Sequence, residues 1–536
     1  MVDNIKGRPQ TAGMPKDRII VIGAGMGGLA AAIRLAAAGH AVTVVESAAA
    51  AGGKARTLPS AAGPVDCGPT VLTMRDVFDD LFALAGERMD DHVALVAQPV
   101  LARHWWPDGT QLDLTTDRAR NAALIRDAFG PGEAEAFLRF DARAEALYQA
   151  FDAPVMRAPR PALPAILRAV ATRPAIWPAL APGLTLSGWL GRQFRDPRLI
   201  QLFARYATYV GGRPARSPAV LALIWRAEAR GVWAVEGGMH GLARALQALA
   251  ERLGVEFRFA TAATRILREG GRVSGVQTSD GKTLPCMACV FNGDPAALRA
   301  GLLGEAPKTA LPATATDPRS LSAHVWAFAS VARGRLAPDL IHHNVFFTED
   351  PDAEFGPIGQ GRAPVAPTLY LCAEDRLRGP AADAAAGPER FEIILNAPAG
   401  LPAAKDEETT CRTATFDRLS RFGLMLDAPP QGTGLVTPAM LAKRFPASQG
   451  AIYGLSPEGT VATFRRPVAR TGLAGLYLAG GGAHPGAGVP MATLSAKHAA
   501  GAILQDLTSA LASPPTAMRG GMSTASRMTG GARSRS

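Results

Sequence analysis

The sequence is short of several residue types, and each shortage excludes a class of protein. Only 6% of its 536 residues are aromatic, 19% are charged and five are cysteine. Because 48% are apolar, the chain is not intrinsically disordered. Five scattered cysteines do not form a disulfide framework, so we expect reduced thiols and a cytoplasmic setting. The isolated pair Cys286 and Cys289 lacks the four ligands of a structural zinc site, and no metal is expected.

Positive charge is present but is not concentrated. The formal net charge is +11, yet four arginines without any acid lie in residues 511–536, and residues 1–18 carry a further excess of two. No basic block is interleaved with aromatic residues, so nucleic-acid binding is not expected. Mild positive charge of this kind suits attraction to anionic lipid.

Long apolar runs are also missing. A long uncharged stretch, between Arg173 and Arg192, is interrupted by three prolines and three glycines. These residues break a helix that would have to cross a bilayer, so no transmembrane helix is predicted. Residues 1–17 are polar and lack the apolar centre of a signal peptide.

The first ordered segment has the pattern of a β-α-β unit. Residues 19–22 predict a buried strand, 27–38 a helix and 41–45 a second strand, which is typical of a doubly wound, Rossmann-like α/β layer. Further along, 76–229 is mostly helical in pattern, 237–253 predicts an amphipathic helix, and 475–480 predicts a final strand before a helix over 491–507.

A glycine motif, Gly23-Ala24-Gly25-Met26-Gly27-Gly28, joins the first strand to the first helix. Gly23 permits the tight turn, Gly25 lets the backbone approach a pyrophosphate, and Gly28 lets helix and strand pack closely. Glu46 ends the second strand, where a carboxylate accepts hydrogen bonds from ribose hydroxyls. Strand, motif, helix, strand and acid in this order predict a dinucleotide site.

The choice between NAD and FAD depends on the next loop. Both dinucleotides satisfy the glycine fingerprint, but a second glycine turn with cations follows Glu46 at once: Gly53, Lys54 and Arg56. In flavin enzymes such a turn runs along the dinucleotide toward the ring, so FAD is the predicted cofactor. The alternative is that Lys54 and Arg56 belong to a solvated basic loop.

With these motifs in place, the chain resembles the bacterial carotenoid desaturases, the phytoene-desaturase-type FAD enzymes related to amine oxidases. The matching segments are VIGAGMGGLAAAIRLAAAGHAVTVVE, GGKAR, DCGPT at 66–70, GVWAVEGGMHGLARAL at 231–246, FNGDP at 291–295 and GLYLAGGGAHPGAGVPMATLSAKHAAG at 475–501. They span about residues 18–510. Family members usually have alanine where Cys67 stands.

The resemblance implies a discontinuous FAD-binding domain built from residues 18–75, 230–300 and 460–510. Residues 76–229 and 301–459 would form a mixed α+β substrate domain with a helical part that faces the membrane, and 1–17 and 511–536 would be disordered tails. It also implies further contacts to FAD, namely Pro69, Thr70, Gly481, Gly488, Val489, Pro490 and Met491.

Within the family, the run GGGAHPGAGVPM and the segment ARHWWPDGTQLDL at 102–114 are most similar to the 1-hydroxycarotenoid 3,4-desaturases. The implied reaction is C-3,4 desaturation of 1-hydroxy or 1-methoxy neurosporene-type acyclic carotenoids, in spheroidene-type carotenoid biosynthesis. The alternatives are a phytoene desaturase or another carotenoid desaturase or isomerase, and, in a different class, a non-catalytic isoprenoid-lipid carrier on the same fold.

Candidates for a proton acceptor are few. The family's proposed acid/base aspartate falls at Arg139 by register, and the nearby Asp141 is the substitute candidate, with a surface position on its helix as the alternative. His484 is the second candidate, either near the end of the substrate tunnel or held by local backbone groups. The electron acceptor is expected to be a quinone or oxygen.

A carotenoid substrate resides in lipid, so the enzyme is expected to load from a membrane. The stretch 160–192 combines arginines with two tryptophans and many apolar residues, and it predicts an interfacial entrance that dips into one leaflet. Its alternative is a helical cover packed on the core. The predicted location is therefore cytoplasmic, peripherally associated with the inner photosynthetic membrane.

Overall fold

A computed structural model describes residues 18–379, 387–460 and 462–512. The predicted tails, 1–17 and 511–536, lie outside the described residues, except that 511 and 512 still belong to the last helix.

The secondary structure of the described residues alternates strands and helices over its whole length. The strands are β1 (Ile19–Ile22), β2 (Val42–Val45), β3 (Thr57–Leu58), β4 (Val65–Asp66), β5 (Leu95–Ala97), β6 (Ala102–Trp105), β7 (Gln111–Leu114), β8 (Trp233–Val235), β9 (Glu256–Arg258), β10 (Ala263–Glu269), β11 (Arg272–Thr278), β12 (Thr283–Pro285), β13 (Ala288–Phe291), β14 (Ser322–Ser330), β15 (His343–Phe346), β16 (Leu369–Ala373), β17 (Glu389–Ala397), β18 (Leu435–Val436) and β19 (Leu476–Leu478). The α-helices are α1 (Met26–Ala37), α2 (Asp76–Ala83), α3 (Arg118–Phe129), α4 (Pro131–Phe151), α5 (Leu163–Ala171), α6 (Leu186–Leu190), α7 (Pro197–Ala204), α8 (Leu223–Ala229), α9 (Met239–Arg252), α10 (Pro295–Arg299), α11 (Pro351–Gly359), α12 (Glu407–Arg412), α13 (Arg418–Phe422), α14 (Pro438–Arg444) and α15 (Val489–Ala512).

A five-stranded parallel sheet carries the glycine motif. Its strand order is β19-β13-β1-β2-β9, and all four pairings are parallel. β1 and β2 are wholly buried runs of β-branched residues, as strands covered on both faces require. Helices α1, α9 and α15 cover one face, and the antiparallel sheet β10-β11-β12 packs on the other. The predicted α/β class is confirmed, and the strands of this sheet come from the three segments assigned to the FAD-binding domain.

Close packing at the start of α1 depends on glycine. Gly23 has a φ of +99°, in the region where only glycine is unstrained, and it turns the chain from β1 toward the helix. A Cβ atom on Gly28 would overlap the carbonyl oxygen of Gly23 and lie 2.9 Å from Nδ2 of Asn292. The helix therefore lies against the loop as closely as the sequence motif predicts.

A mixed seven-stranded sheet forms the second half of the molecule, in the order β18-β14-β17-β16-β15-β6-β7. A helical part built on α3 to α8 packs beside it around a cluster of buried aromatic rings, among them Phe137, Phe140, Phe203 and Trp225. The expectation of a mostly helical segment over 76–229 is incomplete, because 102–114 is the β6-β7 hairpin at the edge of this sheet.

Three buried carboxyl groups join the two halves. Asp66, at the end of β4, accepts hydrogen bonds from the backbone nitrogens of Met239 and His240 at the start of α9. Glu374 accepts from the Asp66 nitrogen at 2.6 Å, and Glu392 on β17 accepts from the Gly68 nitrogen at 2.6 Å. Burial raises the pKa of Asp66 to about 6 and that of Glu374 to about 8, and it raises the pKa of Glu392 as well.

We expect Gly28→Ala to destabilise the protein by about 1–3 kcal/mol, because the added methyl group has no space against Gly23 and Asn292. The measurement is the melting temperature of the purified protein. Gly501→Ala is the matched control, since Gly501 lies inside α15 and an added Cβ meets no atom within 4 Å. That change should be neutral or stabilising by roughly 0.5–1 kcal/mol. Equal melting temperatures for the parent and Gly28→Ala would contradict the packing argument.

The buried carboxyl groups should make stability depend on pH. A raised pKa means that folded Glu374 holds a proton that the unfolded chain releases, so its contribution is complete at about pH 4 and is lost as pH rises through about 8. Glu374→Gln keeps an acceptor for the Asp66 nitrogen and has no proton to lose. Its melting temperature should therefore rise relative to that of the parent between about pH 5 and about pH 9.

The control for this series is Glu135→Gln, at an exposed position on α4, which should follow the parent at every pH. A Glu374→Gln profile parallel to that of the parent would show that Glu374 is already ionised in the folded state.

Candidate active site

A cavity of about 1080 Å³ lies where the N-termini of α1 and α15 meet the 52–56 and 67–71 segments. It exceeds the roughly 300–1,000 Å³ of a typical small-molecule site, and most of its lining side chains are apolar. The predicted cofactor residues that line it are Gly25, Lys54, Arg56, Pro69, Thr70, Gly481, Gly488, Val489, Pro490 and Met491.

The remaining predicted cofactor residues, Gly23, Gly28, Glu46 and Gly53, lie directly behind that lining. Gly53 packs against Gly25, where a Cβ on Gly53 would lie 3.0 Å from the Gly25 Cα atom. Glu46 lies beside the glycine loop: its carboxylate accepts from the Ala24 nitrogen at 2.7 Å and from the Ala48 nitrogen at 2.8 Å. Two backbone hydrogen bonds thus fix its carboxylate at the end of β2.

The start of α1 is suited to a phosphate. Gly25 occupies the N-cap position, no side chain caps the first turn, and no acid lies in it. Gly25, Met26 and Gly27 line the cavity, so the first amide groups of the helix open on it with the positive end of the helix dipole. This uncapped, glycine-lined helix start fits the pyrophosphate of FAD.

Asn292 holds the loops together from behind, and sequence reasoning did not single it out. Its Nδ2 donates to the Gly23 carbonyl at 3.1 Å, and a Cβ on Gly27 would lie 2.7 Å from both the Asn292 Oδ1 and the Gly480 Cα. It follows β13 in the FNGDP segment, which was the only signal for it in the sequence. One side chain thereby fixes the distance between the first and the last glycine loop.

Cations lie along the same cavity. Lys54 Nζ donates to the Ile452 carbonyl at 2.5 Å, and burial lowers the pKa of Lys54 to about 8. Arg56 lines the cavity with its Nη2 4.0 Å from Cys67 Sγ. Arg466, missed in the sequence, donates to the carbonyls of Gly481, Tyr453 and Leu455 at 2.7–2.9 Å. It therefore braces the C-terminal glycine loop from its other side.

The two candidate proton acceptors do not belong to the cavity lining that the described residues form. Asp141 is buried, 3% exposed, so its expected surface position is wrong. Its carboxylate pairs with Arg226 at 2.7 Å and Arg118 at 3.1 Å and accepts from Trp225 Nε1 at 2.9 Å. These partners hold α4 to α3 and α8, which is a structural role.

His484 also lies behind the cavity wall, although its neighbours Pro485 and Gly486 line the cavity. Its Nε2 lies 3.0 Å from the Ala158 carbonyl, and its Nδ1 is buried without a partner among the described residues. Burial lowers the pKa of His484, which keeps the ring neutral near pH 7. The backbone partner of the ring is not local in sequence, because Ala158 lies 326 residues away in the chain.

Two hydrogen-bonded groups of polar residues lie along the cavity, and of their members the sequence had singled out only Thr70. Thr70 and Tyr370 share a hydrogen bond of 2.7 Å, and Tyr370 shares another of 2.6 Å with Nδ1 of His343. The second group, which we call the Arg205 cluster, consists of Arg205, Tyr206, Tyr209 and Glu228, linked by hydrogen bonds and the Arg205–Glu228 ion pair of 3.3 Å. The links within each group have no sequence signal, since Tyr370 lies 300 residues from Thr70 and Glu228 lies 22 residues from Tyr206.

The helical part presents apolar side chains to solvent. On α5 and the 3-10 turn that follows it, Leu163 is 60% exposed, Leu167 68% and Trp177 55%. Ile166 and Val170, on the same α5, line the cavity. No helix in the described ranges combines the length and the apolar composition that a bilayer crossing demands.

Comparison with known proteins places these features in a family. The sequence profile of the flavin containing amine oxidoreductases matches residues 26–329. The chain is 58% identical to the hydroxyneurosporene desaturase of Cereibacter sphaeroides over 492 residues, which cover 92% of this chain and 98% of that protein. It is 43% identical to the protein of that name from Rubrivivax gelatinosus over 96% of this chain and 98% of the other.

Solved structures agree at the level of the fold. Putrescine oxidase bound to putrescine superposes with a TM-score of 0.58 at 15% identity, covering 91% of this chain and 99% of that one. An oxidoreductase from Methanosarcina mazei gives a TM-score of 0.56 at 16% identity, covering 91% and 100%. The chain is an FAD-dependent oxidoreductase that belongs to the flavin containing amine oxidoreductase family and, within it, to the carotenoid desaturases.

Proposed function

We propose that this protein is an FAD-dependent desaturase that introduces the C-3,4 double bond into 1-hydroxy or 1-methoxy neurosporene-type acyclic carotenoids, a step of spheroidene-type carotenoid biosynthesis. The observation that carries the proposal is the 58% identity, over nearly the whole of both chains, with a hydroxyneurosporene desaturase. Phytoene desaturases of the same family are much less similar, at 31% identity for the Paracoccus enzyme.

The cavity supports this chemistry. When bound, FAD would accept the hydride that leaves a C–H bond at one of the two reacting carbons, and loss of a proton from the adjacent carbon completes the double bond. The uncapped start of α1 and Glu46 would hold its dinucleotide, and residues 486–491 would face its ring. The apolar walls orient a hydrocarbon chain and exclude water, which are the two contributions that desaturation requires of the protein.

The proposal is tested by incubating purified, flavin-loaded protein with 1-hydroxyneurosporene, neurosporene or phytoene and recording absorption spectra. We expect 1-hydroxyneurosporene to be consumed fastest, with its absorption bands shifted to longer wavelength as the conjugated system grows. Parallel reactions in air, and under nitrogen with a quinone, identify which of the two proposed electron acceptors the protein uses. Preferential conversion of phytoene would contradict the assignment in favour of the alternative desaturase.

We further propose that α5 and the turn after it form a membrane-facing entrance on the inner photosynthetic membrane. The support is that Leu163 and Leu167 are exposed on α5, whose Ile166 and Val170 line the cavity, and that Trp177 is exposed on the turn that follows it. Arginines at 160, 168 and 173 flank these side chains, as in segments that lie in the interface of an anionic membrane. A carotenoid would then pass from lipid to the cavity without crossing water.

The entrance is tested with the triple variant Leu163→Gln, Leu167→Gln, Trp177→Gln in flotation with vesicles of phosphatidylcholine and phosphatidylglycerol. Removing the apolar contact should lower vesicle binding roughly tenfold or more. The matched control replaces three exposed apolar residues elsewhere, Leu84, Leu302 and Met425, with glutamine and should bind as the parent does. Equal flotation of both triple variants would show that α5 is not the membrane contact.

A further inference from the structure

A hydrogen-bonded chain runs from the cavity wall into the protein interior. Thr70 and Tyr370 line the cavity, Tyr370 joins Thr70 to Nδ1 of His343, and His343 is only 1% exposed. Nε2 of His343 is buried without a partner among the described residues. We call this the Thr70–Tyr370–His343 chain, and nothing in the proposed desaturation by itself requires it.

The chain lies next to the segments that would hold the cofactor. Thr70 follows Pro69 in the strip 67–70, which packs on residues 54–56: the Cys67 nitrogen donates to the Arg56 carbonyl at 2.7 Å, and a Cβ on Gly68 would overlap the Lys54 carbonyl oxygen. Lys54 and Arg56 line the same part of the cavity. The hydroxyl of Thr70 is therefore a polar group beside residues 52–56 and 67–70, which are predicted to contact FAD and which we call the cofactor cradle.

The chemistry of the proposed substrate places its oxygen at that edge. In a 1-hydroxycarotenoid desaturated at C3 and C4, three single bonds of about 1.5 Å separate the oxygen on C1 from C3, so the two atoms lie within roughly 4 Å of each other. Since C3 and C4 must reach the flavin, the oxygen must lie beside the cradle as well. Burying this oxygen without a hydrogen-bond partner would weaken binding.

We propose that the Thr70–Tyr370–His343 chain is the subsite that binds the C1 oxygen of the substrate and selects hydroxylated or methoxylated carotenoids over their unsubstituted precursors. This inference rests on the proposed function. Thr70 contacts the oxygen, Tyr370 orients the Thr70 hydroxyl, and His343 fixes the direction of the hydrogen bonds. The three residues thus determine specificity and take no part in the redox step.

The Thr70 hydroxyl is able either to donate a hydrogen bond to a ligand in the cavity or to accept one from it, depending on which nitrogen of His343 carries the proton. If Nδ1 of His343 carries the proton, it donates to Tyr370, Tyr370 donates to Thr70, and the Thr70 hydroxyl is left to donate to the substrate. If Nε2 carries the proton, every bond reverses and Thr70 accepts. The hydroxyl of an alcohol is able to bind Thr70 in both cases, because it donates and accepts. The ether oxygen of a methoxy group only accepts, so it binds only when Thr70 donates. Burial lowers the pKa of His343 and raises that of Tyr370, so both are neutral near pH 7.

The Arg205 cluster is another polar group in the cavity, and most of its polar atoms pair within it, although Nε of Arg205 is buried without a partner among the described residues. Arg205 pairs with Glu228 and donates to the Tyr209 hydroxyl, and Tyr206 donates to Glu228 at 2.7 Å. It also belongs to the helical part, on the turn after α7 and on α8. Thr70, by contrast, lies two residues from Gly68 at the cradle itself.

The test compares Tyr370→Phe and Thr70→Val, each of which removes one hydroxyl and keeps the shape, in full-length, flavin-loaded protein. Dissociation constants for 1-hydroxyneurosporene and neurosporene in detergent micelles are measured by quenching of tryptophan fluorescence. We expect the parent to bind the hydroxylated carotenoid more tightly and each variant to reduce that preference about tenfold. The dissociation constant of Tyr370→Phe for neurosporene should stay near the parent value, which separates lost recognition from general damage. Because Thr70 is also a predicted FAD contact, the flavin absorbance of Thr70→Val is compared with that of the parent before its result is read.

Tyr209→Phe is the matched control, because it removes a tyrosine hydroxyl from the same cavity but outside the chain, and it should keep the parent preference. The proposal is overturned if Tyr370→Phe keeps the parent preference for 1-hydroxyneurosporene over neurosporene. It is also overturned if only Tyr209→Phe loses that preference, because this result would assign the oxygen to the Arg205 cluster. A parent that desaturates 1-hydroxyneurosporene but binds both carotenoids equally overturns the subsite and leaves the proposed function intact. A parent that converts neither carotenoid overturns both.

Discussion

The whole site depends on a close contact between the two ends of the chain. The loop after β1 and the loop after β19 approach so closely that a Cβ on Gly27 would lie 2.7 Å from the Gly480 Cα, and Asn292 fills the space behind them. The parallel pairing of β13 with both β1 and β19 sets this distance. Because the two segments meet, the starts of α1 and α15 line the same cavity, in which FAD would bind.

A second constraint fixes the position of the substrate half. Asp66 caps the start of α9 through the amides of Met239 and His240, where the helix dipole favours a negative charge. Glu374 and Glu392 approach the same short segment from the seven-stranded sheet, and three carboxylates in one buried region repel one another. A proton on Glu374 relieves that repulsion. The hydrogen bonds to the Asp66 and Gly68 nitrogens hold residues 66–70 against the sheet that carries Tyr370.

Much of the fold could be predicted from the sequence because its signals are local. The buried run 19–22, the alanine-rich helix after it and the amphipathic helix predicted over 237–253 appear as β1, α1 and α9 within two residues of their expected ends. The fit of Gly28 follows from the glycine motif for the same reason. These features depend on periodicity and backbone conformation, which a short window of sequence contains.

The rest could not be predicted because it depends on residues far apart in the chain. For Asp141 the sequence offered a role as proton acceptor or, as the alternative, a surface position, but Trp225 and Arg226, on α8, bury it. Tyr370 reaches both Thr70 and His343 only because β16 pairs with β15 and lies behind the cradle strip. No spacing rule links such residues, so the sequence indicated the cofactor cradle and left the specificity of the cavity open.

The positions of the proposed entrance at α5 and of Thr70 determine which end of the substrate enters the cavity first. If α5 rests on the membrane, an acyclic carotenoid enters from lipid past Ile166 and Val170 and has to bring its reacting carbons to the segment that carries Thr70, while the rest of its chain can still extend toward the entrance. The oxygenated end therefore leads and the hydrocarbon tail follows. A hydroxyl that leads has no hydrogen-bond partner beside the apolar walls, which therefore disfavour it until the hydrogen bond to Thr70 forms. Binding of the oxygen and alignment of C3 with the flavin then occur in the same step. A cavity with mostly apolar walls is thereby able to select a substrate by a single oxygen atom.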